Sequence, residues 1–211
     1  MSIVDEILKH NCTMVSRDRL MNLQRHCLQF RDTDFSFVEC GVAKGGCIAL
    51  MKSMSKNNKV FGFDSFEGMP PITEKDVGDY NKTSPINGYG KPGDNLSGGI
   101  DTVYDVFDKL NLNMFNVTLI KGYFQKTLEN QQNIDNIGKI AVLRLDGDWY
   151  ESTKICLEKL YDNVVDGGVI IIDDYGHWVG AKTAVDEFRQ QRNINLPLLQ
   201  TDYTEHYWYK M

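Results

Sequence analysis

Two short acidic groups carry the most chemical information in this chain. Asp146-Gly147-Asp148 follows the apolar run Ile140-Ala141-Val142-Leu143-Arg144-Leu145, and Asp173-Asp174 follows Val169-Ile170-Ile171-Ile172. Runs of this kind read as strands buried on both faces. A carboxylate inside such a strand is costly to bury. At the carboxyl end it emerges where open α/β sheets bind their ligands. Neighbouring strands lie about 4.8 Å apart, so two such strands side by side would bring these carboxylates to one spot. Their mutual repulsion is unfavourable unless a cation sits among them. No His/Cys cluster accompanies them, so the cation expected is a hard one, Mg²⁺ ahead of Mn²⁺ or Ca²⁺. Adjacent strand residues point to opposite faces. Asp173 and Asp174 therefore share an ion only if the chain leaves strand geometry there. The other reading is that one member of each pair caps the following helix.

A second constellation lies upstream. Glu39-Cys40-Gly41-Val42-Ala43-Lys44-Gly45-Gly46 separates a predicted strand from a predicted helix. Glycines such as Gly41 and Gly45 let a ligand approach the backbone, and a helix N-terminus favours anionic groups. The competing reading is a tight turn with no ligand. Glu39 stands where a dinucleotide fold has glycine, and a carboxylate there would repel a pyrophosphate. Asp64 ends the next predicted strand, placed to accept hydrogen bonds from ribose hydroxyls or to serve as a turn residue. The pair asks for an adenosine with a positively charged or zwitterionic tail, which describes S-adenosylmethionine (SAM).

Together the two constellations outline a reaction. A sugar hydroxyl is a poor nucleophile near neutral pH, and a divalent cation lowers its pKa. A carboxylate not spent on the ion takes the proton, and Asp148 is the candidate. Methyl transfer from a sulfonium then rests on alignment and desolvation. His177, just beyond Asp173-Asp174-Tyr175-Gly176, is expected to line the pocket as substrate contact or base. The competing reading for a lone histidine is structural.

The elements that must position these residues follow from periodicity. Residues 2 to 30 read as helical with a break at Asn11-Cys12-Thr13, and Asp32 to Asp34 as a turn. Short strands are expected at Phe35–Val38, Val60–Phe63 and Val117–Ile120, and helices after the glycine loop, carrying Ile48, Leu50, Met51 and Met54, and at 100 to 110, 124 to 132, 152 to 161 and 181 to 191. Gly167-Gly168 is expected to turn into the strand at 169. Leu198-Leu199 and Tyr207-Trp208-Tyr209 suggest closing strands around Thr204-Glu205. Met69 to Gly99 is rich in Gly, Pro, Asn and Asp, and is expected to form a lid over the substrate. Alternating strands and helices predict a mostly parallel sheet with helices on both faces and an antiparallel edge.

Bulk properties narrow the class. At 211 residues the chain suits a single domain, with helices at 1–34 preceding the sheet. The net charge of -6 argues against a nucleic-acid binder. The start lacks a signal-peptide pattern, and no apolar stretch is long enough to span a bilayer. Cys12, Cys27, Cys40, Cys47 and Cys156 lack CxxC spacing and read as reduced thiols of a cytoplasmic protein.

With these residues in place, the sequence resembles the macrocin O-methyltransferase (TylF-like) family of SAM- and Mg²⁺-dependent sugar methyltransferases. The matching stretches are VECGVAKGG at 38 to 46, FGFDSFEGMP at 61 to 70, LIKGYFQKTL at 119 to 128, LRLDGDWYEST at 143 to 153, GGVIIIDDYG at 167 to 176 and AVDEFR at 184 to 189. The resemblance implies a Rossmann-like α/β fold, a seven-stranded class I SAM-methyltransferase sheet with one antiparallel strand near the C-terminus. It implies metal ligation by Asp146, Asp173 and Asp174, with Asp148 as base. It implies SAM contacts at Glu39, Gly41, Asp64 and Ser65, with Gly45 in the same loop, Gly122 near the adenine, and Asp146 bordering the cofactor as well as the ion. It further implies an acceptor with vicinal hydroxyls and a homodimer. The stretch from 78 to 99 departs from the family pattern, so the acceptor stays open between an antibiotic sugar, a polysaccharide, a nucleotide-linked sugar and another polyhydroxylated molecule. Rival readings are a Mg²⁺-dependent nucleotide-sugar glycosyltransferase using Asp146-Gly147-Asp148 as a DxD motif, a phosphohydrolase, and a non-catalytic binding module.

Overall fold

A computed structural model describes residues 2–77 and 99–211. Seven strands form one sheet in the order β3-β2-β1-β4-β5-β7-β6. They are β1 (Ser36–Cys40), β2 (Val60–Asp64), β3 (Val117–Lys121), β4 (Ile140–Leu145), β5 (Val164–Ile172), β6 (Leu199–Gln200) and β7 (His206–Tyr209). β7 runs antiparallel to both of its neighbours, and every other pairing is parallel. The order reverses between β1 and β4, which is where open α/β sheets open a ligand crevice.

Side-chain alternation divides the interior in two. Phe37, Val169 and Ile171 face one core with Ile7, Leu20, Leu23, Leu50 and Phe107. Val38, Ile170 and Ile172 face the other with Leu157, Val185, Phe188 and Trp208. The helices supplying these partners are α1 (Ile3–Lys9), α2 (Arg17–Phe30), α3 (Gly46–Met54) and α4 (Ile100–Lys109), then α5 (Phe124–Thr127), α6 (Gln131–Ile137), α7 (Tyr150–Leu160) and α8 (Val179–Gln191). The break at Asn11 to Thr13 is enforced by local chemistry, because the Ser16 hydroxyl accepts the Arg19 N–H and starts α2 afresh.

Three boundaries differ from the periodicity. The helix expected over 124 to 132 is two helices, because the Asn130 side chain accepts the Gln132 N–H and caps α6. β5 begins at Val164 and absorbs Gly167-Gly168. Gly167 has a φ of 79° and donates to the Lys210 carbonyl, so the glycines shape a strand where a turn was expected. β1 runs past Val38 through Glu39 and Cys40, and Glu39 lies opposite Arg144 of β4 in register. A buried charge pair thus extends a strand that apolar patterning alone would end.

Of the segment expected as a lid, 78 to 98 lies outside the described residues. Its first part docks against the body of the protein. Met69 and Ile72 pack on Trp149, Trp178 and Ala181. Asp76, only 1 % exposed, accepts the Tyr150 N–H at 2.6 Å and so caps the start of α7. Among the described residues no helix is long and apolar enough to cross a membrane.

Candidate active site

The four central strands end in step. Cys40 pairs with both Phe63 and Leu145, and Leu145 with Ile172. Each following residue keeps one more bond. Gly41 N–H donates to Phe63, Asp146 N–H to Cys40 and Asp173 N–H to Leu145, each at 2.8 or 2.9 Å. Asp64, Gly41, Asp146 and Asp173 are thereby brought to one rim of the sheet. Gly41 is held closest. It has a φ of 97°, and a Cβ there would lie 1.8 Å from the Asp146 carbonyl oxygen. Only glycine allows the two strand ends to approach this far.

A cavity of about 360 Å³ opens on this rim, within the size range of small-molecule sites. Its walls are the segment Thr13 to Val15, the loop Gly41 to Lys44, Asp64 and Ser65, Tyr123 to Gln125, the acidic residues, and His177, Trp178 and Tyr203. Asp64 accepts the Val42 and Ala43 N–H groups on Oδ2 at 2.8 and 2.9 Å and the Phe66 N–H on Oδ1 at 2.7 Å. A carboxylate offers about four lone-pair sites, so Oδ1 retains capacity toward the cavity. Ser65 spends its hydroxyl on the Gly68 carbonyl at 2.5 Å while still bordering the cavity. Gly45 and Gly122 are not among the lining residues. Gly45 caps α3 in the left-handed region, and a Cβ there would meet Val103. Gly122 hands the chain to Tyr123, which does line the cavity.

The acidic residues divide unevenly. Ligand oxygens of Asp146, Asp148 and Asp174 lie within 4.8 Å of one another. Asp173 borders the same cavity but stands outside that group, in the turn that follows β5, and is tied to two arginines. Its Oδ1 accepts from Arg144 at 2.5 Å and its Oδ2 from Arg19 at 2.9 Å. The grouped set therefore differs from Asp146, Asp173 and Asp174 at one member, with Asp148 in place of Asp173. Asp148 reaches the group through a left-handed φ of 56°. It is held there by its N–H donating to Asp174 Oδ2 at 3.2 Å and by the Trp178 indole donating to its Oδ1 at 2.8 Å.

Burial and crowding set the protonation of these groups. Burial, then the charge of Asp146, pushes Asp148 up to about 8 against the pull of the Trp178 hydrogen bond. Burial and the Asp173 charge raise Asp146 to about 6, with Arg144 opposing. Asp174 is raised well above the usual carboxylate range by burial and then by Asp148. Glu39 rises to about 8 through burial, although Arg144 opposes it. Such a group holds a proton or a cation at neutral pH. His177 is shifted down by burial and by Arg19, so it is neutral there. Its Nδ1 lies 3.3 Å from the Tyr203 hydroxyl.

Several site residues were invisible to spacing arguments. Arg144 sits at 1 % exposure among Glu39, Asp146 and Asp173. Its signal was a lone arginine in an apolar strand, which cannot be buried unpaired. Arg19, Trp178 and Tyr203 come from helix and loop positions whose spacing carries no site signature.

This fold and rim are those of class I SAM-dependent methyltransferases. The solved O-methyltransferase NovP superposes with a TM-score of 0.81 at 31% identity, covering 95% of this chain and 82% of that one. The chain belongs to the macrocin-O-methyltransferase (TylF) family, whose profile matches residues 5–210. Relatives include the 8-demethyl-8-(2,3-dimethoxy-alpha-L-rhamnosyl)-tetracenomycin-C 4'-O-methyltransferase of Streptomyces olivaceus, 32% identical over 93% of this chain and 74% of that protein. Demethyldecarbamoylnovobiocin O-methyltransferase of Streptomyces niveus is 32% identical, with the same shares covered. The chain is thus a SAM-dependent O-methyltransferase, and the glycosyltransferase and hydrolase readings of Asp146-Gly147-Asp148 fall away.

Proposed function

We propose that this enzyme methylates a hydroxyl of a sugar or other polyhydroxylated small molecule with the help of a divalent cation, Mg²⁺ first. The observation that carries the reading is the trio Asp146, Asp148 and Asp174 on the floor of the cavity that also holds Glu39 and Asp64. The relatives, which include a mycinamicin III 3''-O-methyltransferase of Micromonospora griseorubida, support a glycosidic acceptor. An all-oxygen donor set suits a hard cation.

The residues fit both groups. Glu39 Oε2 is buried and has no hydrogen-bond partner among the described residues, a state that costs stability until a donor arrives. That oxygen suits a donor on the cofactor, and Asp64 Oδ1 suits a ribose hydroxyl. When bound, SAM supplies the electrophilic methyl group and the cation supplies the Lewis acidity that lowers the pKa of a chelated hydroxyl. Asp146 and Asp174 would hold the ion. Asp148 is the base, raised into the range where a carboxylate accepts a proton near neutral pH. Asp173 borders the same cavity, and each of its oxygens keeps a lone pair beside its arginine bond with which it would join Asp146 and Asp174. Trp178 fixes the Asp148 carboxylate, and neutral His177 and Tyr203 border the acceptor. Vicinal hydroxyls would satisfy the ion in bidentate fashion. A homodimer and a cytoplasmic setting belong to the same proposal, resting on the family likeness and on five cysteines that are all free and buried.

The test is methyl transfer from labelled SAM to a panel of free, lipid-linked and nucleotide-linked deoxysugars and glycosides, with Mg²⁺ or with chelator. Methylated product that requires metal, and that is lost in Asp146→Asn, is expected. Full turnover after chelation would remove the ion from the mechanism, and sedimentation velocity reads the oligomeric state.

A further inference from the structure

Arg144 joins the two halves of the site through a single guanidinium. Nη1 donates to Glu39 Oε1 on the cofactor side and to Asp146 Oδ2 on the acidic side, both at 2.8 Å. Nη2 donates to Asp173 Oδ1 at 2.5 Å. Arg144 and Glu39 are each 1 % exposed, so water does not screen their contact. The placement follows from register, since Glu39 and Arg144 are cross-strand partners and Asp146 follows the end of β4, held to Cys40 through its N–H. Arg19 supplies the second cation, and among the described residues it is ion-paired only with Asp173 and Asp202. Among the described residues, Arg144 alone is ion-paired with both Glu39 and Asp146.

We infer that Arg144 is a positioning residue that couples cofactor binding to metal binding. The inference rests on the proposed function, because it needs a cation at the Asp146 group. A divalent ion at that group competes with Nη1 for Asp146. The guanidinium then gives more of its charge to Glu39, whose second oxygen would otherwise be open to a cationic ligand. Each ligand thus weakens the other, and linkage makes the factor equal in both directions. Arg144 is suited to this because its planar fork serves three carboxylates at once. A lysine ammonium is a point charge that lacks the fork.

The probes are S-adenosylhomocysteine, which keeps the α-amino group, and Mn²⁺, each titrated calorimetrically alone and in the presence of the other. In the unaltered protein Mn²⁺ is expected to raise the Kd of S-adenosylhomocysteine by about fivefold or more. In Arg144→Lys both ligands still bind alone, but the factor falls below about twofold. Glu39→Gln, which removes the cofactor-side partner and leaves the acidic group intact, should lower the factor in the same way. It carries the test if circular dichroism shows that the lysine variant is unfolded. A simple loss of stability would weaken each ligand without changing the factor. The inference is overturned if the unaltered protein shows no coupling, or if folded variants keep the full factor. If S-adenosylhomocysteine binds and Mn²⁺ does not bind at all, the metal reading itself falls and the coupling with it. If both bind and the factor survives substitution, only the role of Arg144 falls.

Discussion

Gly41→Ala tests the closeness of the two strand ends on which the site depends. An added Cβ would lie 1.8 Å from the Asp146 carbonyl oxygen and 2.7 Å from its carbonyl carbon. Both are backbone atoms, so no side chain can rotate away. Because real Cβ contacts essentially never fall under 3.0 Å, the strand ends must part by about an ångström. A left-handed φ of 97° adds roughly 1–2 kcal/mol for any residue with a Cβ. Parting the strand ends breaks the Asp146 N–H bond to Cys40 or the Gly41 N–H bond to Phe63, each worth about 1 kcal/mol. The sum is about 3 kcal/mol, or a fall in Tm of roughly 6–12 °C for a chain of this length. The displaced residue is Asp146, so Mn²⁺ affinity should fall by tenfold or more as well. Two other glycines serve as controls. Gly45→Ala shares the φ but meets the Val103 side chain at 2.9 Å, and Gly138→Ala, with a φ of 67°, meets nothing within 4 Å. Both should lose about 1–2 kcal/mol and bind Mn²⁺ normally. Scanning calorimetry and Mn²⁺ titration read the two effects separately. A Gly41→Ala protein that melts with Gly138→Ala and binds Mn²⁺ like the unaltered chain would refute the close-approach argument.

Other predictions concern charge and anchoring. Asp148 and Glu39, both near 8, and Glu205, near 7, are raised above their unfolded values, so the fold binds more protons than the unfolded chain. Stability without metal should therefore fall as pH rises from about 6.5 to 8. Below pH 6.5 the slope from these carboxylates continues down toward their unfolded values, offset in part by His26, which burial lowers to about 4. Calorimetric scans in chelator would read this, and Mg²⁺ should raise Tm more at pH 8 than at pH 6.5; equal stabilisation at both would contradict the protonation argument. Asp64→Ala is expected to weaken S-adenosylhomocysteine binding by tenfold or more while Mn²⁺ still binds, and Asp146→Asn to do the reverse. Calorimetry in which both variants lose both ligands would deny two separable half-sites. Asp76→Ala removes the cap on Tyr150 N–H and the contacts to Thr73, at a cost of about 1–2 kcal/mol in urea unfolding; an unchanged midpoint would show that the 69 to 77 segment is not anchored there.

Residue order alone specifies the alternation of strands and helices, the two strand-end acidic groups, the glycine loop and the Asp64 partner. Each is a local pattern, legible because burial on both faces selects β-branched runs and forbids carboxylates until the strand ends. The same locality explains where periodicity erred. The split at Asn130, the glycines inside β5 and the extension of β1 through Glu39 each depend on a partner, and two of those partners, Lys210 and Arg144, lie far away in the chain.

Which carboxylates face one another is set by how the folded chain packs. Asp173 and Asp174 look equivalent in sequence, yet in the turn that follows β5 the first is tied to Arg19 and Arg144 and the second is grouped with Asp146 and Asp148. Asp148 joins them through a left-handed backbone held by Trp178, thirty residues further along the chain. Residue types and spacing fixed the presence of an acidic rim. The charge on each member depends on neighbours brought together by β1, β4, β5 and α2, because electrostatic energies follow distance and burial, neither of which is written in residue order.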